Sequence, residues 1–379
     1  MSTPDVIVVG AGVAGLACAR RLTRGGFRVV VLEASDGVGG RVRTDEVDGF
    51  RLDRGFQVLP TAYPEARAIL DFDRLDLRSF ERGAVVRHGG KFRTVADPRR
   101  APLTAIRGLA SGAVQPADAL ALGRLLTRQG PETTAAEAIR AAGLSDAGLR
   151  LLTPFLRGIF LEQGLVTSSA FLEFILDTFS TGPAAVPARG MGEIATQLAD
   201  GLDVRLGSRV DDLDSLDARA VVVATAGVLD GDESDWNGVS CVYFDAPESP
   251  LAGPWLVLDG DGEGPVNNVA VMTEVSREYG PRGRALVSAT VIGGAEPDLG
   301  AVRRQLASWF GAAVRDWRVL RTYEIPHALP ALPVGATIQR PVRISERLYA
   351  CGDHRLHPSL NGALRSGRLA ADAVIAYFG

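Results

Sequence analysis

Lysine is nearly missing from this sequence of 379 residues. Lys91 is the only one among 41 Lys and Arg residues, so arginine carries almost all the positive charge and lysine drops out of the catalytic candidates. Cysteine is scarce as well. Cys18, Cys241 and Cys351 lie far apart and form no CxxC, which argues against a disulfide framework, a zinc site or a dithiol redox pair. No apolar run reaches the ~18 residues that crossing a bilayer requires, so no transmembrane segment is expected. No basic stretch precedes the first strand, so no secretory signal is expected and a reducing cytoplasm is the default location. Basic clusters are lacking too. The formal net charge is -4, and a nucleic-acid partner is not expected. No internal repeat or low-complexity tract is present.

What remains is a hydrophobic fraction of 46% against a charged fraction of 23%. That suits a globular chain of two or three domains with a sizeable core. Val6–Val9 is a β-branched run of the buried parallel-strand type, Val13 to Arg24 reads as a helix ended by Gly25-Gly26, and Arg28 to Leu32 is a second strand. From about Thr61 to Ser180 the pattern is largely helical, with one hairpin around Gly89-Gly90. Pro116–Arg128, Thr134–Ala142 and Pro154–Gln163 each open on a capping or proline signal. Strands are expected at Val204–Leu206 and Ala220–Ala224. Further β-rich runs follow at Val239–Phe244, Trp255–Leu258, Val269–Thr273 and Ala285–Thr290, suggesting an antiparallel sheet. Leu299–Phe310 reads as a helix, Arg318–Ile325 and Leu348–Cys351 as strands, and the stretch from about Leu360 to Phe378 as a closing helix. The expected fold class is α/β: a nucleotide domain in discontinuous pieces (1–60, 183–230 and 340–379). An α+β substrate domain (61–182 and 231–339), part helical and part antiparallel sheet, is inserted between them.

Gly10-Ala11-Gly12-Val13-Ala14-Gly15 fits GxGxxG between the first strand and the first helix. Gly10 permits the tight turn, Gly12 lets a pyrophosphate approach the backbone, and Gly15 lets helix and strand pack closely. The helix N-terminus then offers free N–H groups and its positive dipole end to the phosphates. Glu33, followed by Ala34, ends the second strand, and its carboxylate is placed to accept from the adenosine ribose hydroxyls. FAD and NAD both use such a turn. Gly39-Gly40-Arg41-Val42 follows closely, with bare backbone at the glycines and a guanidinium in Arg41 able to offset phosphate charge.

With Gly39-Gly40-Arg41 and Thr44 in place, the sequence resembles the flavin-dependent amine oxidase, phytoene desaturase and protoporphyrinogen oxidase superfamily. The resemblance continues at Asp53-Arg54-Gly55-Phe56-Gln57, where that family places chain against the flavin ring. Pro187-Ala188-Arg189-Gly190-Met191-Gly192 resembles the family's PxGGM-type turn, with Arg189 where glycine is usual. Val210 looks like the valine that faces the adenine, and Ala224-Thr225 like the strand end beside the ADP moiety; core packing is the other reading of both. Gly352-Asp353 and Leu360-Asn361-Gly362-Ala363 resemble the C-terminal flavin segment. There Asp353 would bind the ribityl or pyrophosphate, and the helix N-terminus would stabilise negative charge on reduced flavin. The resemblance implies FAD as cofactor, a Rossmann-like FAD-binding domain for the discontinuous pieces, and an FAD-dependent oxidoreductase.

The flavin would carry the redox step. Gly260-Asp261-Gly262-Glu263-Gly264 lacks a following helix and reads as a turn, so a separate NAD(P)H domain is not expected. The leading expectation is a dehydrogenase or oxidase acting on a C–C or C–N bond of a fairly apolar small molecule, with oxygen, a quinone or another carrier taking the electrons. A flavin amine oxidase stands next. Many of those enzymes use a lysine near the flavin, and Lys91 lies far from its usual place. A redox-neutral flavin isomerase or mutase, or a non-catalytic FAD-binding protein, is the alternative of another class. Tyr323 and His327 are the candidates to orient substrate or accept a proton. Phe155, Phe160, Phe171 and Phe174 are available to line an apolar tunnel or to pack a core. No metal site is expected: His354 and His357 flank Asp353 without further ligands.

Overall fold

The computed structural model describes residues 3–96, 108–110, 112–229 and 235–379. The expectation of helix across 97–107, and the domain boundary at 230/231, lie outside the described residues.

Five short strands form one parallel sheet in the order Asp203–Arg205, Val29–Leu32, Val6–Val9, Ala220–Val223, Leu348–Ala350. Val6–Val9 and Ala220–Val223 are buried at every position, which is why they read as unbroken apolar runs and not as alternating ones. Alternate side chains nevertheless go to different cores. Val6 and Val8 join the core shared with helices Val13–Arg24, Gly192–Ala199 and Leu360–Phe378. Ile7 and Val9 meet Val210, Leu213 and Leu216 on the opposite face. The first and last helices pack so closely that a Cβ at Gly367 would stand 2.2 Å from the Ala14 carbonyl oxygen. Successive connections leave Val6–Val9 in opposite directions, to Val29–Leu32 on one side and Ala220–Val223 on the other. That reversal opens a crevice beyond the strand's carboxyl end, where doubly wound folds hold their ligands.

The second large sheet has seven strands in the order Arg318–Pro330, Trp236–Ala246, Ala285–Ile292, Val266–Val271, Leu256–Asp259, Gly83–His88, Lys91–Ala96. The strands between 236 and 292 pair antiparallel as expected, and the sheet is extended by Gly83–His88, which pairs parallel with Leu256–Asp259. The hairpin at Gly89-Gly90 is present, with φ of 56° and 76° at the two glycines, the left-handed pair that a tight two-residue hairpin turn needs. It belongs to this sheet, not to the helical part. A smaller sheet joins Leu59–Pro60 and Leu77–Ser79 to Ala184–Pro187.

The helical part comprises Pro116–Leu126, Ala135–Ala142, Asp146–Phe160 and Ser169–Thr181, around a core of their own. The expected helix start at Pro154 is corrected. Ser145 caps the helix by accepting from Gly148 N, and Pro154 sits in its interior. Leu152, Leu156 and Phe160, spaced by four and buried together, hold the helix through the proline, at which one backbone hydrogen bond is missing.

Candidate active site

A cavity of about 1460 Å³ begins at the crevice of the parallel sheet and runs between the seven-stranded sheet and the helical part. Single-ligand pockets measure roughly 300–1,000 Å³, so this one has room for a dinucleotide and a second molecule.

Its floor is the glycine turn. Gly10 has φ of 105°, a conformation open to glycine. A Cβ at Gly15 would lie 2.0 Å from Gly10 O, so helix and strand meet there as closely as expected. A Cβ at Gly12 would meet nothing within 4 Å and would instead project into the cavity, where a pyrophosphate would lie. The helix starting at Val13 has no side-chain cap and no acidic residue in its first turn, which leaves its N–H groups and positive end for an anion. Val13 and Ala14 also line the cavity. Glu33 reaches it with its carboxylate held by two backbone amides, Ala11 N–H at 2.7 Å and Ser35 N–H at 2.9 Å. Two oxygens have lone pairs beyond these, so Glu33 is oriented and still able to accept.

Gly39, Gly40 and Val42 face the same space, with Gly39 and Gly40 at φ of 112° and 59°. Arg41 donates to the Asp353 carboxylate at 2.5 Å and to Ala328 O at 2.8 Å, and its guanidinium lies 5.2 Å from the centre of the Trp236 ring. It thus bridges the glycine segment, the C-terminal segment and the substrate side of the cavity. Gln57 donates to Arg41 O and Arg54 O at 2.8 and 2.9 Å. Gly55, at φ of 88°, brings bare backbone against Ile325. Phe56 turns its ring edge-on to Phe80.

Asp53 ties these segments together. It is buried, and it accepts from Thr44 Oγ1 at 2.6 Å, Met191 N at 2.8 Å and the Tyr279 hydroxyl at 2.7 Å. Burial pushes its carboxyl up to about 6, although the three hydrogen bonds pull the other way. Thr44 Oγ1 in turn accepts from Gly192 N. The turn at 187–192 is therefore fixed to both flavin-side segments. Gly190 carries its left-handed backbone at φ of 106°, and Arg189 is an exposed residue outside that region. The departure from the family pattern is accommodated on the surface.

At the C-terminal side, Gly352, Asp353, Leu360 and Ala363 line the cavity, and Ser359 caps the last helix through Gly362 N at 2.9 Å. Ala224 and Thr225 line it at the strand end. The described lining omits Gly15, Ala34, Val210, Asn361 and Gly362. Val210 packs against Ile7 and Val9, and Asn361 turns away to accept from Glu65 N.

His327 lines the cavity with its ring 5.5 Å from that of Trp236. Tyr323 does not, which corrects the expectation that it orients substrate. Its hydroxyl donates to Asp45 at 2.8 Å and its ring meets Tyr243 edge-on. The strand is 13 residues long, and only its later part, from Ile325 on, borders the cavity. Lys91 is exposed on the hairpin, and no lysine lines the described cavity. Of the four phenylalanines, Phe155 lines the cavity, Phe160 is fully buried core, and Phe171 and Phe174 line a second cavity. Sequence reading missed Tyr63 and Trp236, which carry no motif, and it missed one thiol pair. Cys18 and Cys351 are both buried, and the hydrogen bond between them, with burial, pushes the Cys18 thiol far above its ordinary range. All three cysteines are free. No cluster of possible metal ligands occurs among the described residues.

A glycine cradle, an uncapped helix N-terminus and a carboxylate at the second strand end define a dinucleotide-binding protein of the doubly wound class. The family model for flavin-containing amine oxidoreductase matches residues 13–235 and 231–375. The chain belongs to that family of FAD-dependent oxidoreductases. Putrescine oxidase of Kocuria rosea is 46% identical over 78 residues, 21% of this chain and 16% of the relative. The first polyamine oxidase relative from Arabidopsis thaliana matches over 52 residues, 50% identical, 14% of this chain and 10% of its own length. The matched stretches thus span a small part of these curated relatives. Among solved structures, an oxidoreductase from Methanosarcina mazei has a TM-score of 0.73 at 16% identity over 98% of this chain and 99% of that one. Putrescine oxidase bound to putrescine has a TM-score of 0.70 at 19% identity, with 99% of each chain covered. These likenesses establish the fold. Among the described residues, no helix is long and apolar enough to cross a membrane.

Proposed function

We propose that the chain oxidises a C–N or C–C bond of a bulky, largely apolar small molecule, with FAD in the glycine cradle. Bound there, FAD would accept the electron pair. The cradle fits it: Gly12 leaves space where a side chain would intrude, and Glu33 is aimed by two amides. Gly10, Gly39 and Gly40 would add bare backbone, and the helix at Leu360 would place its N-terminus beside the ring.

The observation that carries the substrate reading is the lining of the far part of the cavity. Leu122, Leu151, Leu152, Phe155, Ile175 and Leu256 form its walls. Among the described residues, the carboxylates of the lining are Glu33, Glu81, Asp118 and Asp353. Glu33 and Asp353 are engaged as described, Asp118 accepts from Ser145 N, Ser145 Oγ and Gln115 N, and Glu81 is exposed. A diammonium substrate would enter an apolar space without a free buried counter-charge, which is costly. A neutral amine or an apolar hydrocarbon would not. Arg82, Gln115, Asn268 and His327 are further polar groups of the lining, and His327 would orient the substrate. The family model favours the amine among the two bond types.

Anaerobic mixing with benzylamine, cyclohexylamine, putrescine, polyenes and porphyrinogens, followed by flavin absorbance, tests this. Bleaching by an apolar amine or polyene is the expected result. Bleaching by putrescine in preference to the apolar compounds overturns the substrate class. Turnover that needs pre-reduced flavin and gives no net oxidation overturns the reaction and supports an isomerase.

A further inference from the structure

A second cavity, of about 490 Å³, lies between helices Pro64–Ile69, Ser169–Thr181 and Leu360–Phe378. One wall is apolar, made by Phe171, Phe174, Leu332 and Ile338. The polar groups opposite are unusual in kind. The Glu65 carboxylate is taken up at both oxygens by Arg368, at 2.9 and 2.6 Å. Asn361, buried, spends its side-chain oxygen on Glu65 N at 3.1 Å, and its amide nitrogen has no partner among the described residues. Arg365, exposed, has no ion-pair or hydrogen-bond partner among them either, and it lines the cavity.

His357 completes the set. Its Nδ1 stands 2.9 Å from Ser359 Oγ. That oxygen also accepts from Gly362 N, so one polar group of the cavity wall is held in place by the cap of the last helix. Burial, with Arg365 nearby, lowers the imidazole to about 4, so it is neutral at pH 7. Asn361 is thus left with its amide donors, and Arg365 brings a full positive charge to the lining. With Glu65 and Arg368 cancelling, the cavity offers one unpaired cation beside an apolar wall.

We propose that this cavity binds a small monocarboxylate with an aromatic or aliphatic body. Arg365 pairs with the carboxylate in the bidentate geometry that guanidinium favours, Asn361 adds a donor, and the body lies against Phe171 and Phe174. A dianion would leave one charge uncompensated against the apolar wall. Ser359 lines the main cavity and bonds both the Tyr63 hydroxyl there and His357 of the second cavity, so one hydrogen-bonded side chain links the two walls. The site stands apart from the reaction proposed above and does not depend on it.

Benzoate is the probe. Isothermal titration of the FAD-loaded protein should show saturable one-to-one binding with no change in the visible flavin spectrum. Benzamide, the neutral isostere, should bind at least about tenfold more weakly, and so should benzoate to Arg365→Ala. Arg365 is exposed and unpartnered, so this variant should fold. Ala170→Trp, at the exposed rim, should abolish binding by filling the cavity while FAD content stays unchanged. Absence of saturable binding overturns the proposal. So does binding that survives both substitutions, or that perturbs the flavin spectrum, since either outcome puts benzoate in the main cavity.

Discussion

A Cβ added at Gly12 meets no other atom, so its cost falls on the ligand and not on the fold. Gly12→Ala should keep the melting temperature of the apoprotein while weakening FAD binding by about tenfold or more, roughly 1.4 kcal/mol. A parallel fall in apoprotein stability would place the glycine's importance in the fold instead. Glu33 allows the complementary test. Glu33→Ala should lose FAD on gel filtration, whereas Glu263→Ala, in the turn at 260–264, should retain it; equal retention would remove Glu33 from the ribose. Asp53 makes a pH prediction. The folded chain holds its proton more tightly than the unfolded chain, with a pKa of about 6 against 3.8. This group therefore favours the folded state most at low pH, and the advantage, of order 3 kcal/mol, is lost as pH rises from about 4 through 6. The difference in melting temperature between wild type and Asp53→Asn should change over that window. A constant difference from pH 4 to 7 would show that Asp53 titrates normally.

At the level of elements, packing at one position decides whether the cradle is supported. The last helix lies on the first, and a Cβ at Gly367 would come within 2.2 Å of Ala14 O. Gly367→Ala should separate these helices and destabilise the protein by about 1–3 kcal/mol, read as an earlier denaturant midpoint. An unchanged midpoint would mean the helix pair yields easily. The elements also show what a linear reading reaches. Gly10–Gly15, Gly39-Gly40 and Leu360–Ala363 were legible because each answers a local demand: a left-handed backbone, a close approach or a helix start. The two terminal helices and the strand at Val6–Val9 were legible from periodicity and capping. Tyr323 and His327 looked equivalent, yet only the end of their strand borders the cavity. The parallel pairing of Gly83–His88 with Leu256–Asp259 joins segments about 170 residues apart, and no local signal announces it. The same holds for Tyr63, Trp236, Arg365 and the meeting of Cys18 with Cys351. Their roles arise from which distant segments touch.

For the molecule as a whole, FAD binding to the folded state alone should add stability by mass action. A hundredfold excess over Kd is worth about 2.7 kcal/mol, so the melting temperature should climb with FAD concentration. A melting temperature indifferent to FAD would contradict the cradle. The order of strands in the parallel sheet has another consequence, for the protein's birth on the ribosome. Leu348–Ala350 is the edge strand beside Ala220–Val223, and the helix that backs Val13–Arg24 runs to Phe378. The glycine turn at Gly10–Gly15 is walled in by segments more than 330 residues further along the chain, Leu348–Ala350 and Leu360–Phe378. Through most of translation the nascent chain carries an unfinished sheet edge and an exposed apolar helix face, the condition in which chains misassociate. A chain cut near residue 340 would keep the glycine turn and lack both Leu348–Ala350 and the helix Leu360–Phe378 that close the site around it.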